Sequence, residues 1–92
     1  MDIPTPLIIR VAVSKSIFSR RQEVLQELLR CARTEAGLTQ VELADKLQRP
    51  QSFVSKIESG ERLLDILELK EVCDAVGIGL VDFVSRLEKQ FS

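Results

Sequence analysis

"RPQSFVSKIESGER", residues 49–62, is the stretch that decides how this chain folds. Laid on a helical wheel at about 100° per residue, Val54 and Ile57 point one way. Ser52, Ser55, Lys56 and Ser59 gather on the opposite side, Gln51 stands at the N-terminal tip, and Phe53 and Glu58 lie on the flanks. A merely solvated face usually carries Glu, Lys and Ala, which favour helix, whereas serine disfavours it. So many short polar groups on one exposed face need another reason.

Just upstream, "QRP", residues 48–50, is too short a link for two helices to lie antiparallel, so the helix before it turns sharply into the helix after it. Leu43, Ala44 and Leu47 form the apolar side of that preceding helix, with the small Ala44 suited to a close crossing. Three capping boxes mark helix starts: Ser19 with Gln22, Thr39 with Glu42, and Asp65 with Glu68. The glycines at 37, 60 and 77 fall where an apolar periodicity has just ended, and that at 79 precedes the next one. These signals predict five helices, about 20–36, 39–47, 51–59, 65–76 and 80–90. Leu25, Leu28, Leu29 and Ala32 repeat at helical spacing in the first, Leu69, Val72, Cys73 and Val76 in the fourth, and Leu80, Phe83, Val84 and Leu87 in the fifth. None is long enough to be stable alone, so all must share one core.

Residues 1–18 differ in kind. Pro4 and Pro6 hold the start extended, and "LIIRVAV", residues 7–13, is rich in β-branched residues, so this arm either pairs as a short strand with its copy in a dimer or stays a flexible or helical extension. It is too short to cross a bilayer and is interrupted by Arg10. The chain of 92 residues has room for one domain, here 19–92, and for no separate ligand-sensing unit. Without histidine, and with only Cys31 and Cys73 far apart, the usual zinc ligand sets and the commonest general base are missing. We expect no enzyme activity, no metal and no cofactor, and two reduced cysteines in a cytoplasmic protein. The net charge of −1 lacks the basic signature of many nucleic-acid binders, although residues 1–33 hold six Lys and Arg against three acids and residues 34–92 hold seven against eleven.

The polar face of helix 51–59 fits a DNA major groove. Gln51 can bind adenine N6 and N7 together, Ser52 and Ser55 can donate or accept at several base edges, and Lys56 can reach a guanine or a phosphate. At the start of helix 39–47, Gln40 and the free N–H groups beside Thr39 offer a seat for a phosphate oxygen. With these residues in view, "LLRCARTEAGLTQVELADKLQRPQSFVSKIESGERLLDILELKEVCDAVG", residues 28–77, resembles the lambda-repressor-like, or Cro/CI-type, helix-turn-helix regulators of the XRE family.

The resemblance implies an all-α, five-helix lambda-repressor-like domain with an N-terminal extended arm or short strand. In that family the first helix of the motif positions and the second reads the groove. Carried over by position, it implies a phosphate contact from Gln40, base contacts from Gln51, Ser52 and Lys56, and an orienting salt bridge between Arg33 and Glu58, with Ser55 and Ser59 as adjacent candidates for base or backbone contacts. From the residues themselves we expect Ser55 at the bases and Thr39, Ser59 and Arg62 at phosphates. Two departures stand out. Gln48 occupies a turn position where many members have glycine, which predicts a positive φ there, and the loop "GERLLD" supplies Arg62 as its one cation. The acidic run Glu68, Glu71 and Asp74 reads as a solvated face of the fourth helix, and Leu63, Leu64 and Ile66 as core or dimer contact. The function implied is that of a homodimeric repressor of a pseudo-palindromic operator in double-stranded DNA. The alternatives are an antitoxin, a restriction-modification controller of the same fold, or an adaptor for a protein partner.

Overall fold

The computed structural model describes residues 4–91, and their side chains from residue 20. Five helices follow one another: α1 (Pro4–Glu35), α2 (Gln40–Leu47), α3 (Gln51–Ser59), α4 (Ile66–Val76) and α5 (Leu80–Lys89). No strand occurs among the described residues.

The bounds of α2 to α5 follow the capping and glycine signals. Thr39 accepts from the Glu42 N–H while the Glu42 carboxylate takes the Thr39 N–H, and Asp65 and Glu68 repeat the exchange at α4. Each exchange satisfies donors that a helix start leaves without partners. α1, α2 and α4 end alike: a residue just past the helix, Gly37, Gln48 or Gly77, turns left-handed and N–H groups fold back onto the last carbonyls. After α1, Leu38 donates to the Arg33 carbonyl and Gly37 to that of Thr34. After α2, Arg49 donates to Ala44 and Gln48 to Asp45, and the left-handed residue is Gln48 itself, at φ 59°.

The N-terminal reading needs correction. The backbone from Pro4 to Glu35 is a single helix, so the extended arm or short strand gives way to the helical alternative, and α1 does not begin at Ser19. The reason lies in where the prolines fall. Pro4 and Pro6 sit in the first turn, whose N–H groups have no intrahelical acceptor, so the donors they lack are not missed.

The core gathers Leu29 and Ala32 of α1, Leu43 and Ala44 of α2, Phe53, Val54 and Ile57 of α3, Leu69, Val72 and Cys73 of α4, and Phe83 of α5. Burying a side chain of the Val, Leu, Ile or Phe type contributes about 1.5–3 kcal/mol. The centre of this core, at Leu43, Val54 and Ile57, is therefore what fixes α2 against α3. Val84, expected in the core, instead lies on the surface of α5.

Candidate nucleic-acid interface

With Val54 and Ile57 sealed beneath it, α3 turns Gln51, Ser52, Lys56 and Ser59 to solvent, and Ser55 is half-buried beside them. Phe53 and Glu58, placed on the flanks by the wheel, are both buried. A carboxylate only 3% exposed requires partners. Arg33 supplies two donors, Nε to Glu58 Oε2 at 2.6 Å and Nη2 to Oε1 at 3.1 Å, and its Nη1 holds the Leu38 carbonyl at 2.8 Å. The carboxylate hydrogen bond in turn raises the Arg33 pKa above its ordinary value.

The same carboxylate joins α2 to α3. Gln40 Nε2 donates to Glu58 Oε1 at 3.0 Å, and Gln51 Nε2 donates to Gln40 Oε1 at 3.4 Å. A hydrogen-bonded line thus runs Arg33, Glu58, Gln40, Gln51, from the end of α1 through the first residue of α2 to the first residue of α3. The amide orientation of Gln40 is set from one side, and it presents its oxygen to Gln51 on the other. Beside it the N–H groups of Gln40 and Val41, at the start of α2, have no acceptor within the helix. Thr39 caps α2 next to them.

A helix-turn-helix family model matches residues 22–83. Among solved structures, an XRE-family like protein from Pseudomonas syringae pv. tomato str. DC3000 is 44% identical, with a TM-score of 0.80, over 87% of this chain and 98% of that one. The chain belongs to the XRE family of helix-turn-helix proteins. More distant XRE-like folds include the restriction-modification controller protein C.Esp1396I, 27% identical, with a TM-score of 0.71, over 77% of this chain and 93% of that one. The clp gene regulator ClgR from Corynebacterium glutamicum is 27% identical, with a TM-score of 0.68, over 76% of this chain and 74% of that one. No curated protein sequence matches the chain. The family fold is that of DNA-binding transcription regulators.

The two remaining residues expected at phosphates, Ser59 and Arg62, have internal partners here. Ser59 Oγ donates within 3.2 Å of the Lys56 carbonyl and lies 3.3 Å from Glu61 Oε2. Arg62 is held by Glu68, Nη1 to Oε1 at 3.0 Å and Nη2 to Oε2 at 2.9 Å. Glu68 is consequently no part of a purely solvated face, unlike the exposed Glu71 and Asp74. Its hydrogen bonds from Arg62 and from the Asp65 N–H lower its pKa to about 2.

Sequence reasoning missed a cluster built on Phe53. Arg49 and Arg62 approach its ring at 4.4 and 4.8 Å from the centroid, and Arg49 also lies 3.7 Å from Glu68 and 3.6 Å from Glu71. The available signal was one aromatic among the short polar groups of α3, with an arginine just outside each end of that helix. Arg30 was missed as well; its guanidinium reaches the Glu58 carbonyl at 3.4 Å.

Proposed function

We propose that this XRE-family protein is a sequence-specific repressor that binds a pseudo-palindromic operator as a homodimer, with α3 of each copy in successive major grooves. One observation carries the reading: α3 leaves Gln51, Ser52 and Lys56 uncovered on the face opposite Val54 and Ile57, level with the free N–H groups at the start of α2. In this reading Gln51, Ser52, Ser55 and Lys56 read bases, and Thr39, Gln40, Ser59 and Arg62 hold phosphates. Arg33 orients the reading helix through Glu58. Pairing of two copies draws support from exposed apolar side chains, Val81 and Val84 on α5 and Leu63, Ile66 and Leu67 around the start of α4. Half-sites then lie about one helical turn, ~34 Å, apart.

No described helix is long and apolar enough to cross a membrane. We place the protein in the cytoplasm, where its operator is. The likeness to C.Esp1396I favours a second reading, a controller of restriction-modification genes. Adjacent endonuclease and methyltransferase genes would distinguish it.

Selection from a random duplex pool tests the proposal. Recovery of an inverted repeat, bound by two copies with an affinity that falls steeply with salt, is the expected result. Failure to enrich any sequence, together with salt-independent binding, would favour an adaptor for another protein.

A further inference from the structure

Among the described residues, Arg62 uses three of its five N–H groups. Nη1 serves Glu68 Oε1 and the Leu63 carbonyl, at 3.0 and 3.1 Å, and Nη2 serves Glu68 Oε2 at 2.9 Å. These bonds occupy the end of the guanidinium. The Nε–H and the outer Nη2–H, parallel along one edge, remain available. Arg33 shows the opposite choice: Glu58 takes its Nε and Nη2, and the side chain is only 12% exposed, against 40% for Arg62. The Arg62 guanidinium carbon lies over the Phe53 ring, 4.8 Å from its centroid, and the Arg62 N–H donates to the Lys56 carbonyl at 3.2 Å, tying its backbone to the last turn of α3. A two-donor edge of this kind matches two oxygens of a phosphate.

We propose that Glu68 is a positioning residue for Arg62: it grips the end of the guanidinium and keeps the free Nε/Nη2 edge open to a DNA backbone phosphate beside the C-terminal end of α3. The inference rests on the DNA-binding reading above. It reverses the simple Coulomb expectation. A carboxylate near DNA should repel it, so its removal should tighten binding; as a holder of Arg62, its loss should weaken binding.

Glu68→Gln is the informative variant, because glutamine also serves at the third position of a capping box and α4 keeps its start. Anisotropy titrations across a salt series would use two probes, a duplex carrying the selected inverted repeat and one of unrelated sequence. Arg62→Ala should weaken both about three- to tenfold and reduce the slope of log K against log salt by about 0.9 per subunit. Glu68→Gln should lose a similar factor on both probes, and no more in the Arg62→Ala background. Thermal melts by circular dichroism should show the fold intact in all three. The proposal is overturned if Glu68→Gln binds as tightly as the unaltered protein or tighter, or if its loss persists without Arg62. If the unaltered protein binds neither probe, the DNA-binding reading itself fails and this inference goes with it. Loss of the Glu68 effect alone, with wild-type binding intact, leaves that reading standing.

Discussion

Arg33 and Glu58 meet through two parallel hydrogen bonds, at 2.6 and 3.1 Å, across the junction of α1 and α3. The sites are nearly dry, so the interaction differs from a surface ion pair, whose contribution is small. Removing one partner strands the other's charge, which in a buried pair costs about 3–5 kcal/mol. Gln40 and Arg30 remain near Glu58 and soften the loss. Arg33→Ala should therefore destabilise the protein by about 2–3 kcal/mol, seen as a lower urea midpoint with unchanged slope. Arg33→Lys should recover only part of this, because one ammonium cannot serve both carboxylate oxygens and the Leu38 carbonyl. Equal stability of all three proteins would remove the pair from any account of how α3 is held.

Gln48 closes α2 in the left-handed region at φ 59°, where a side chain adds strain of roughly 1–2 kcal/mol. Glycine relieves it but gives the unfolded chain more freedom, returning about 0.5–1 kcal/mol. Gln48→Gly should thus stabilise by about 0.5–1 kcal/mol, raising Tm by a few degrees. A lower Tm would mean that the weak 3.4 Å bond from Gln48 Nε2 to the Asp45 carbonyl outweighs the backbone strain.

Acid should loosen the α3–α4 connection through Glu68. Its carboxyl is held down to about 2 from the ordinary 4.5, first by its hydrogen bond from Arg62 and then by that from the Asp65 N–H. A depressed carboxylate contributes stability above its unfolded pKa, and that contribution is lost as pH falls toward the folded value. The Tm difference between the unaltered protein and Glu68→Gln should accordingly be constant above about pH 5 and shrink steadily toward pH 2. A difference that does not change over this window would mean that the pair with Arg62 does not form in solution.

Local chemistry explains which parts of this architecture were readable in the sequence. Thr39 with Glu42 and Asp65 with Glu68 announce helix starts because both partners lie within one turn, and Val54 and Ile57 reveal the buried side of α3 by spacing alone. The Ser19 box misled because the same local signal can lie inside a longer helix. The β-branched run before it misled because its bias against helix amounts to only a few tenths of a kcal/mol per residue. The Phe53 cluster was hidden for another reason: Arg49, Arg62 and Glu68 converge only after the loop following α3 has folded back. Nothing local encodes that meeting.

The two thiols should report on different depths of the fold. Cys73 is 1% exposed and burial raises its pKa, while half-buried Cys31 is raised by burial and then by its hydrogen bond to Glu27. Because the thiolate is the reactive species, both should be slow toward a disulfide reagent at neutral pH. Cys31 should still react from the native state, whereas Cys73 should react at the rate of global unfolding and accelerate in urea. Simultaneous labelling of both without denaturant would contradict the close packing of α4 against the core.

Gln40 and Gln51 share one hydrogen bond, so their substitutions should be related but distinguishable. If Gln51 reads a base, Gln51→Ala should cost about 1–3 kcal/mol on the preferred operator and flatten preference at one base pair per half-site. Gln40→Ala should weaken every sequence by a similar factor through its phosphate, and should add a smaller loss of preference at that same base pair, since Gln51 Nε2 no longer has its Gln40 Oε1 acceptor. Glu58, deprived of the 3.0 Å bond from Gln40, keeps Arg33, so the fold should survive. Titration of each variant against the operator and its single-base variants checks the assignment. Identical loss on every sequence for both substitutions would show that Gln51 also contacts only the backbone, and base reading would then fall to Ser52, Ser55 and Lys56.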